Sequence, residues 1–184
     1  MSMQLDKVQP KNKIQLEQLI GYAFKHNIYD LNFIDTSKIT DMSNLFANCE
    51  YNIDVSNWDV SNVTNMYNMF YKCKTFNCDL SNWNVSNVTD MYSMFIACEN
   101  FKGKGLENWD VSKVKDIGDM FAGCENFNCD LSNWDMSNVT DMGYAFIDCE
   151  KFKGKGLENW NVINVTSMRH MFDGCNKLTI PDWY

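Results

Sequence analysis

Proline and glycine are scarce in this chain of 184 residues, which contains two prolines and nine glycines. Both residues are common in turns, because proline presets one backbone angle and glycine reaches angles that other residues avoid. Their scarcity argues against a loop-rich fold. Hydrophobic residues make up 45% of the chain and charged residues 22%, which is the composition of an ordered globular protein.

Histidine and positive charge are also in short supply. The two histidines, His26 and His170, leave little material for a Ser/His/Asp or Cys/His nucleophilic centre, so we expect no enzymatic activity and no cofactor. The 16 lysines and arginines face 24 acidic residues, for a net charge of −8. Because nucleic-acid binding needs clustered basic residues that neutralise phosphates, this charge argues against a nucleic-acid partner.

Long apolar runs are missing as well. No stretch approaches the roughly 20 apolar residues that a membrane-spanning helix needs, so we do not expect membrane insertion. Residues 1–7 lack the apolar region and the cleavage site of a secretory signal. The sequence as written predicts a cytoplasmic protein, or a secreted or cell-surface protein if a leader is missing from it.

A repeat of about 25 residues dominates what is present. Tryptophans at 58, 83, 109, 134 and 160 lie 25, 26, 25 and 26 residues apart. Each copy runs on to a phenylalanine and then to a cysteine: Cys49, Cys73, Cys98, Cys124, Cys149 and Cys175. The connecting segment 76–80 is one residue shorter than 101–106, so two kinds of repeat alternate.

The spacing within a repeat predicts secondary structure. Leu80, Trp83 and Val85 fit the L-x-x-L-x-L spacing of a leucine-rich repeat, in which a short strand points alternate side chains inward. The residues that follow have the period of a helix with one buried face: Val88, Met91, Met94, Phe95 and Cys98. We therefore predict a leucine-rich-repeat-like solenoid with a short parallel β-strand and a short helical or 3-10 segment in each coil.

The two ends of the chain differ from the repeat. An apolar face predicts a helix that begins near Asn12 and contains Ile14, Leu16, Leu19, Ile20, Ala23 and Phe24. We interpret residues 1–35 as an N-terminal helical cap and residues 36–184 as a solenoid of about six coils. Residues 178–184 resemble a final strand without a cap, and an open strand edge would allow self-association.

The aligned cysteines and aspartates admit more than one chemistry. We interpret the cysteines as buried thiols rather than a column of metal ligands, because zinc sites draw four ligands to one point. Two short-range disulfides, Cys73 with Cys78 and Cys124 with Cys129, stay open as an alternative for an oxidising compartment. Calcium sites cluster their carboxylates, so we assign turn formation rather than calcium binding to the recurring aspartates: Asp41, Asp90, Asp116 and Asp141.

Polar residues on either side of the buried tryptophans form the candidate binding face. Such a mildly acidic ladder suits an extended or cationic protein partner, since repeat proteins use extended faces of this kind. Alternatively, these side chains bond to their counterparts in neighbouring coils and stabilise the stack, and the two roles are compatible. The candidate residues are Asn57, Asp59, Asn82, Asn84, Asn108, Asp110, Asn133, Asp135, Asn159 and Asn161.

A known family shares this repeat. The string Trp-[Asp/Asn]-Val-Ser-x-Val-Thr-[Asp/Asn]-Met-x-x-Met-Phe-x-x-Cys resembles the BspA-like leucine-rich-repeat surface proteins of bacteria, and related copies occur in mycoplasma lipoproteins. The resemblance covers residues 36–180. It implies a right-handed solenoid and a role in adhesion or other protein recognition, without enzymatic activity.

Overall fold

Turns, rather than helices and strands, make up most of the structure, a computed structural model that describes residues 7–184. It contains one α-helix, α1 (Lys13–Lys25), and two 3-10 helices (Leu106–Asn108 and Leu157–Asn159). Neighbouring repeats meet in isolated parallel bridges, such as Asp90 with Asp116. No sheet forms within the described residues.

The predicted architecture of one strand and one helical segment in each coil is therefore wrong. The predicted strand 80–85 is instead a turn at residues 81–82 followed by irregular chain, and the backbone N–H of Trp83 donates to the Leu80 carbonyl at 3.1 Å instead of to a neighbouring strand. The two 3-10 helices lie before Trp109 and Trp160, not after them, and only the longer kind of repeat contains one. The leucine-rich-repeat-like solenoid is thus not the fold of this chain.

The predicted helical stretches are runs of tight turns, which we call the turn segments: 42–49, 66–73, 91–98, 117–124, 142–149 and 168–175. In the first, the Leu45 N–H donates to Met42 at 3.3 Å and the Cys49 N–H to Phe46 at 2.8 Å. Asn44 and Asn48 have φ values of 56° and 63°, and the equivalent residues of every other turn segment also have positive φ. Non-glycine residues rarely adopt this conformation, so scarce glycine was a wrong argument against a loop-rich fold.

The remaining N–H groups of each turn segment join one repeat to the next. Met42, Asn44, Phe46 and Asn48 donate to carbonyls of residues 65, 67, 69 and 71 at 2.7–2.9 Å. The same register recurs in later repeats, and the donors always lie in the earlier repeat of each pair. An α-helix would use these N–H groups internally, so the segments cannot be helical and stack in this way.

The apolar pattern itself was predicted correctly. Trp83, Val85 and the five residues predicted to form the buried helical face are all buried. Phenylalanines stack from repeat to repeat, with ring centroids 5.5 Å apart for Phe70 and Phe95. The indole N–H of each tryptophan donates to a carbonyl of the preceding repeat, as that of Trp83 does to Val55 at 3.0 Å. The core is therefore a set of side-chain columns that run through the whole stack.

Helix α1 lies against the first turn segment. It begins after Asn12, whose side chain accepts the Gln15 N–H at 3.0 Å, as the predicted start near Asn12 requires. Leu16, Ile20 and Ala23 are buried, but Ile14 is 66% exposed and was wrongly assigned to the apolar face. The Lys13 ammonium contacts Ser43 at one end of the segment, and the Phe24 ring contacts Tyr51 beyond the other. Residues 1–6 of the predicted cap lie outside the described residues.

The predicted final strand is also wrong. Residues 178–184 contain one turn at residues 182–183 and no strand, and the Tyr184 N–H donates to the Pro181 carbonyl at 3.2 Å. Trp183 stacks on Trp160 at 6.1 Å and donates to the Leu157 carbonyl at 2.7 Å. Trp183 thus continues the tryptophan column beyond Trp160.

The alternation of two repeat types depends on glycines in the longer type. Gly105 has a φ of 97°, and a Cβ atom there would overlap the backbone of Leu80 and Ser81 in the preceding repeat. Gly103 lies so close to Phe127 and Cys129 of the following repeat that a side chain would collide with both. The longer repeats therefore fit closely between shorter neighbours.

Replacement of Gly105 by alanine should lower the free energy of unfolding by about 3 kcal/mol or more, because backbone atoms cannot move aside and the positive φ adds strain. Urea unfolding followed by tryptophan fluorescence measures the change. The matched control is Gly21→Ala in α1, where nothing lies within 4 Å of the new Cβ. That variant should gain about 0.5–1 kcal/mol, and equal effects at the two sites would contradict the packing described.

Candidate functional site

The ten candidate residues form two exposed rows beside the tryptophan column. The first row precedes each tryptophan and consists of Asn57, Asn82, Asn108, Asn133 and Asn159. The second row follows each tryptophan and consists of Asp59, Asn84, Asp110, Asp135 and Asn161. All ten are exposed, so the structure places them where a partner can reach them, although on turns and not on strands.

Side chains of the second row are held by their own backbone. The Oδ1 atom of Asp59, Asp110 and Asp135 accepts the N–H of the serine two residues later at 3.0–3.1 Å. Asn84 and Asn161 make the same bond at 3.2 and 3.3 Å. The second terminal oxygen or nitrogen of each side chain remains available for a hydrogen bond to a partner. Its direction is fixed by the bond that the Oδ1 atom makes.

Two carboxylates of the second row, Asp110 and Asp135, are stabilised as anions. Hydrogen bonds from the Ser112 side chain and backbone lower the pKa of Asp110 below its ordinary value. Ser137 lowers the pKa of Asp135 in the same way. Asp110 and Asp135 therefore carry full negative charge at neutral pH, one repeat apart.

The first row takes part in joining repeats. The Asn82 amide donates to Ser56 and to Asn57 of the preceding repeat, both at 3.4 Å. The Asn133 amide donates to the Glu107 carbonyl at 3.1 Å. These bonds support the stabilising role for part of the first row, while the second row bonds within its own repeat.

The chemistry of the two rows is that of hydrogen bonding and charge. They combine amides with the carboxylates of Asp59, Asp110 and Asp135 and contain no nucleophile or histidine. Amide groups and carboxylates at a regular spacing suit the backbone of an extended chain or its cationic side chains. A rigid stack presents them at little entropic cost on binding.

The aligned cysteines lie inside the stack and act as hydrogen-bond donors. Cys73, Cys98, Cys124, Cys149 and Cys175 each donate the thiol to the phenylalanine carbonyl of the preceding repeat at 2.9–3.0 Å. Burial raises the pKa of Cys73 to about 12 and that of Cys124 further. Because metals and disulfide exchange require the thiolate, the column is suited to neither.

The two remaining cysteines face a different surface. The Cys78 thiol lies 3.5 Å from an Asp54 oxygen and the Cys129 thiol 3.8 Å from Glu107, and burial raises both pKa values to about 12. Cys73 and Cys124 donate instead to core carbonyls. All eight cysteines are free, so neither of the open disulfides is formed.

The recurring aspartates initiate the turn segments, as predicted. Asp41, Asp90, Asp116 and Asp141 each accept the N–H two residues later at 2.7–3.0 Å. Burial, together with repulsion from Asp141, Asp90 and Asp119, raises the pKa of Asp116 above its ordinary value. Among residues 7–184, no group of three or more histidine, cysteine or acidic side chains is arranged to hold a metal ion.

Sequence reasoning missed a pocket beside this aspartate column. The pocket, about 280 Å³ in volume, is lined by Tyr92, Gly118, Asp119, Asp141, Gly143, Tyr144, Ser167 and Arg169. Gly118 and Gly143 occupy the repeat position that Tyr67 and Tyr92 occupy in earlier repeats. This replacement of a large side chain by glycine in two successive repeats was the signal in the sequence.

In the described part of the chain, no helix is both long and apolar enough to cross a bilayer.

Comparison with known proteins identifies one family. Residues 14–105 and 89–183 both match the family described as "Mycoplasma protein of unknown function, DUF285". No curated protein and no solved structure matches the chain.

Replacement of Cys124 by alanine should lower the free energy of unfolding by about 1–2 kcal/mol, because a buried thiol and its bond to the Phe95 carbonyl are both lost. Cys175→Ala is the matched control, since it loses the same bond to Phe146 at a partly exposed position. Its loss should be smaller in urea unfolding, and a larger one would show that burial is not the source of the effect.

Asp116→Asn and Asp135→Asn should change stability in opposite directions. The raised pKa of Asp116 means that its ionised form weakens the folded state above that pKa, so the variant should gain roughly 0.5 kcal/mol at pH 7. The lowered pKa of Asp135 adds stability that is present above its unfolded pKa and lost as pH falls, so its variant should be less stable at pH 7. Urea unfolding at pH 7 and pH 3 tests this. Both differences should shrink at pH 3, and changes of the same sign at pH 7 would refute the assignment.

Proposed function

We propose that this chain, which belongs to the DUF285 family, is a non-enzymatic module that binds a protein partner through its two Asn/Asp rows. The carrying observation is the second row, in which five exposed side chains are oriented by their own backbone at one per repeat. Preorganised polar groups lose little entropy when a partner binds. This arrangement supports recognition rather than a purely packing role.

The family resemblance supports adhesion as the setting of that recognition. The repeat string resembles the BspA-like surface proteins, which implies a role at a bacterial surface. We propose the cell surface as the place of action if a leader precedes this sequence, and the cytoplasm otherwise.

Charge supports a cationic, extended partner. The second row contributes Asp59, Asp110 and Asp135, and the chain as a whole has a net charge of −8. Complementary charge raises the association rate and suppresses wrong partners. A protein segment with regularly spaced lysines or arginines fits the rows best.

Self-assembly through the last repeat is the second candidate. The N–H groups of Met168, His170, Phe172 and Gly174 have no acceptor among residues 7–184. They could bond to another copy, as the open strand edge predicted at this end of the chain would. However, two such edges would place donor against donor. At the other end of the stack, α1 lies against the first repeat, where Lys13 contacts Ser43 and Phe24 contacts Tyr51. Joining copies end to end would therefore require displacement of the helix, and we favour the binding module.

The test is a pull-down from cell lysate and from extracellular-matrix proteins with wild type and a triple variant, Asp59→Asn, Asp110→Asn and Asp135→Asn. Asparagine occupies the same position at Asn84 and Asn161, where its side-chain oxygen still accepts the backbone N–H two residues later, from Ser86 and Ile163. The triple variant should stay folded and lose about tenfold or more in affinity for the captured partner.

The opposite change provides the control. Asn84→Asp with Asn161→Asp adds two charges to the second row and should strengthen capture of the same partner. Equal capture by all three proteins would rule out the second row. Mass that rises with concentration in light scattering, without a captured partner, would support self-assembly instead.

A further inference from the structure

The pocket between Tyr92 and Arg169 lies outside the two rows and has walls of its own. The Tyr92 hydroxyl donates to Asp119 at 2.7 Å, which fixes the ring on one side. On the other side, the Arg169 guanidinium lies 4.9 Å above the Tyr144 ring, which also stacks with His170 at 5.2 Å. Gly118 and Gly143 line the pocket between these rings and have no side chains to fill it. The pocket of about 280 Å³ has room for one side chain.

The charge of the pocket is negative and unbalanced. Asp119 and Asp141 line it, and Asp116 lies directly beside Gly118. None of these carboxylates forms an ion pair within residues 7–184, whereas Asp79 and Asp130 elsewhere are paired with Lys104 and Lys155 at 2.6 Å. Arg169 lies at the rim over Tyr144 and pairs with no carboxylate of the described chain. An added cation would therefore meet uncompensated charge.

The first repeat shows which cation fits this place. There, Asp41 accepts the Ser43 N–H at 2.8 Å, the same turn that Asp141 makes with Gly143 at 2.7 Å. The Lys13 ammonium of α1 lies 2.6 Å from Ser43 Oγ and 3.4 Å from Asp41 Oδ2. The chain thus places its own lysine at the position that corresponds to the pocket. In the later repeats, Gly118 and Gly143 replace Ser43 and line the pocket.

We propose that the pocket binds one lysine or arginine side chain of a protein partner. The inference rests on the proposed binding function and names a second contact for it, apart from the rows. Asp141 and Asp119 take the charged group, and Tyr92 and Tyr144 pack against the aliphatic stem.

The probe is hexalysine with blocked ends, titrated calorimetrically into the full chain at low salt, with hexaglutamine as the uncharged peptide. Asp141→Asn removes one pocket charge and keeps the turn acceptor, as Asn65 does at that position of the second repeat. Gly143→Tyr fills the pocket without changing the net charge, with the residue that Tyr67 and Tyr92 place there. Each variant should weaken hexalysine binding about tenfold.

Asp182→Asn is the matched control, because it removes the same charge from an exposed position outside both the pocket and the two rows. It should weaken hexalysine binding less than about twofold if the pocket is the site. Equal losses for Asp182→Asn and Asp141→Asn, wild-type affinity in Gly143→Tyr, or no binding to the wild type would each overturn the proposal. Urea unfolding confirms that each variant is folded.

The titration can contradict the pocket proposal without contradicting the proposed function of the rows, and the reverse also holds. Loss of the pocket site leaves the pull-down with the second-row variants unaffected. If instead those variants capture normally while hexalysine still binds the pocket, the rows are excluded and the pocket stands.

Discussion

A hydrogen-bond ladder with a single direction underlies the whole structure. In every turn segment that has a following repeat, alternate N–H groups donate to that repeat, and the intervening ones close turns within the segment. Each pair of repeats is thus joined by several aligned bonds. This arrangement requires residues with positive φ at every fourth position. The backbone strain at Asn44, Ala97 or Tyr144 is offset by the bonds that it makes possible.

The side-chain columns follow from the ladder. Because the register between repeats is constant, phenylalanines stack on phenylalanines along the chain, and Trp83 stacks on Trp109 as Trp134 does on Trp160. Hydrogen bonds of the core side chains also recur from repeat to repeat. Thiols donate to phenylalanine carbonyls, and indole N–H groups donate to carbonyls near the preceding tryptophan. No buried side-chain nitrogen or oxygen lacks a partner in the described residues. The core is therefore both apolar and fully hydrogen bonded.

The sequence predicted burial well and backbone conformation poorly. Trp83, Val85 and Phe95 were expected inside because apolar side chains recur at fixed intervals, and burial depends on little else. The same intervals fit a helix and a run of alternating turns, since both return to the core every three or four residues. What separates them is the left-handed conformation of Ser93 or Ala97, which neither residue type favours. Their conformation is imposed by the neighbouring repeats and cannot be read from local preference.

Functional positions were predictable only in part. The two Asn/Asp rows were recognised from their alternation with buried residues, yet their turn bonds depend on a backbone that was not foreseen. The pocket was missed because the search followed residues that recur, whereas Gly118 and Gly143 matter by breaking the repeat. Lys13, which marks the kind of ligand, belongs to the helix and meets Asp41 only through the tertiary fold.

The glycine turns of the longer repeats also limit how such a protein can change length. Cys129 occupies space that is left open only because Gly103 in the adjacent repeat has no side chain. Deletion of one longer repeat would bring two shorter ones together, so that two cysteine side chains would compete for the same volume. Removal of a longer repeat together with a shorter one would keep glycine opposite cysteine, so chains that differ by two repeats fit the stack without this collision.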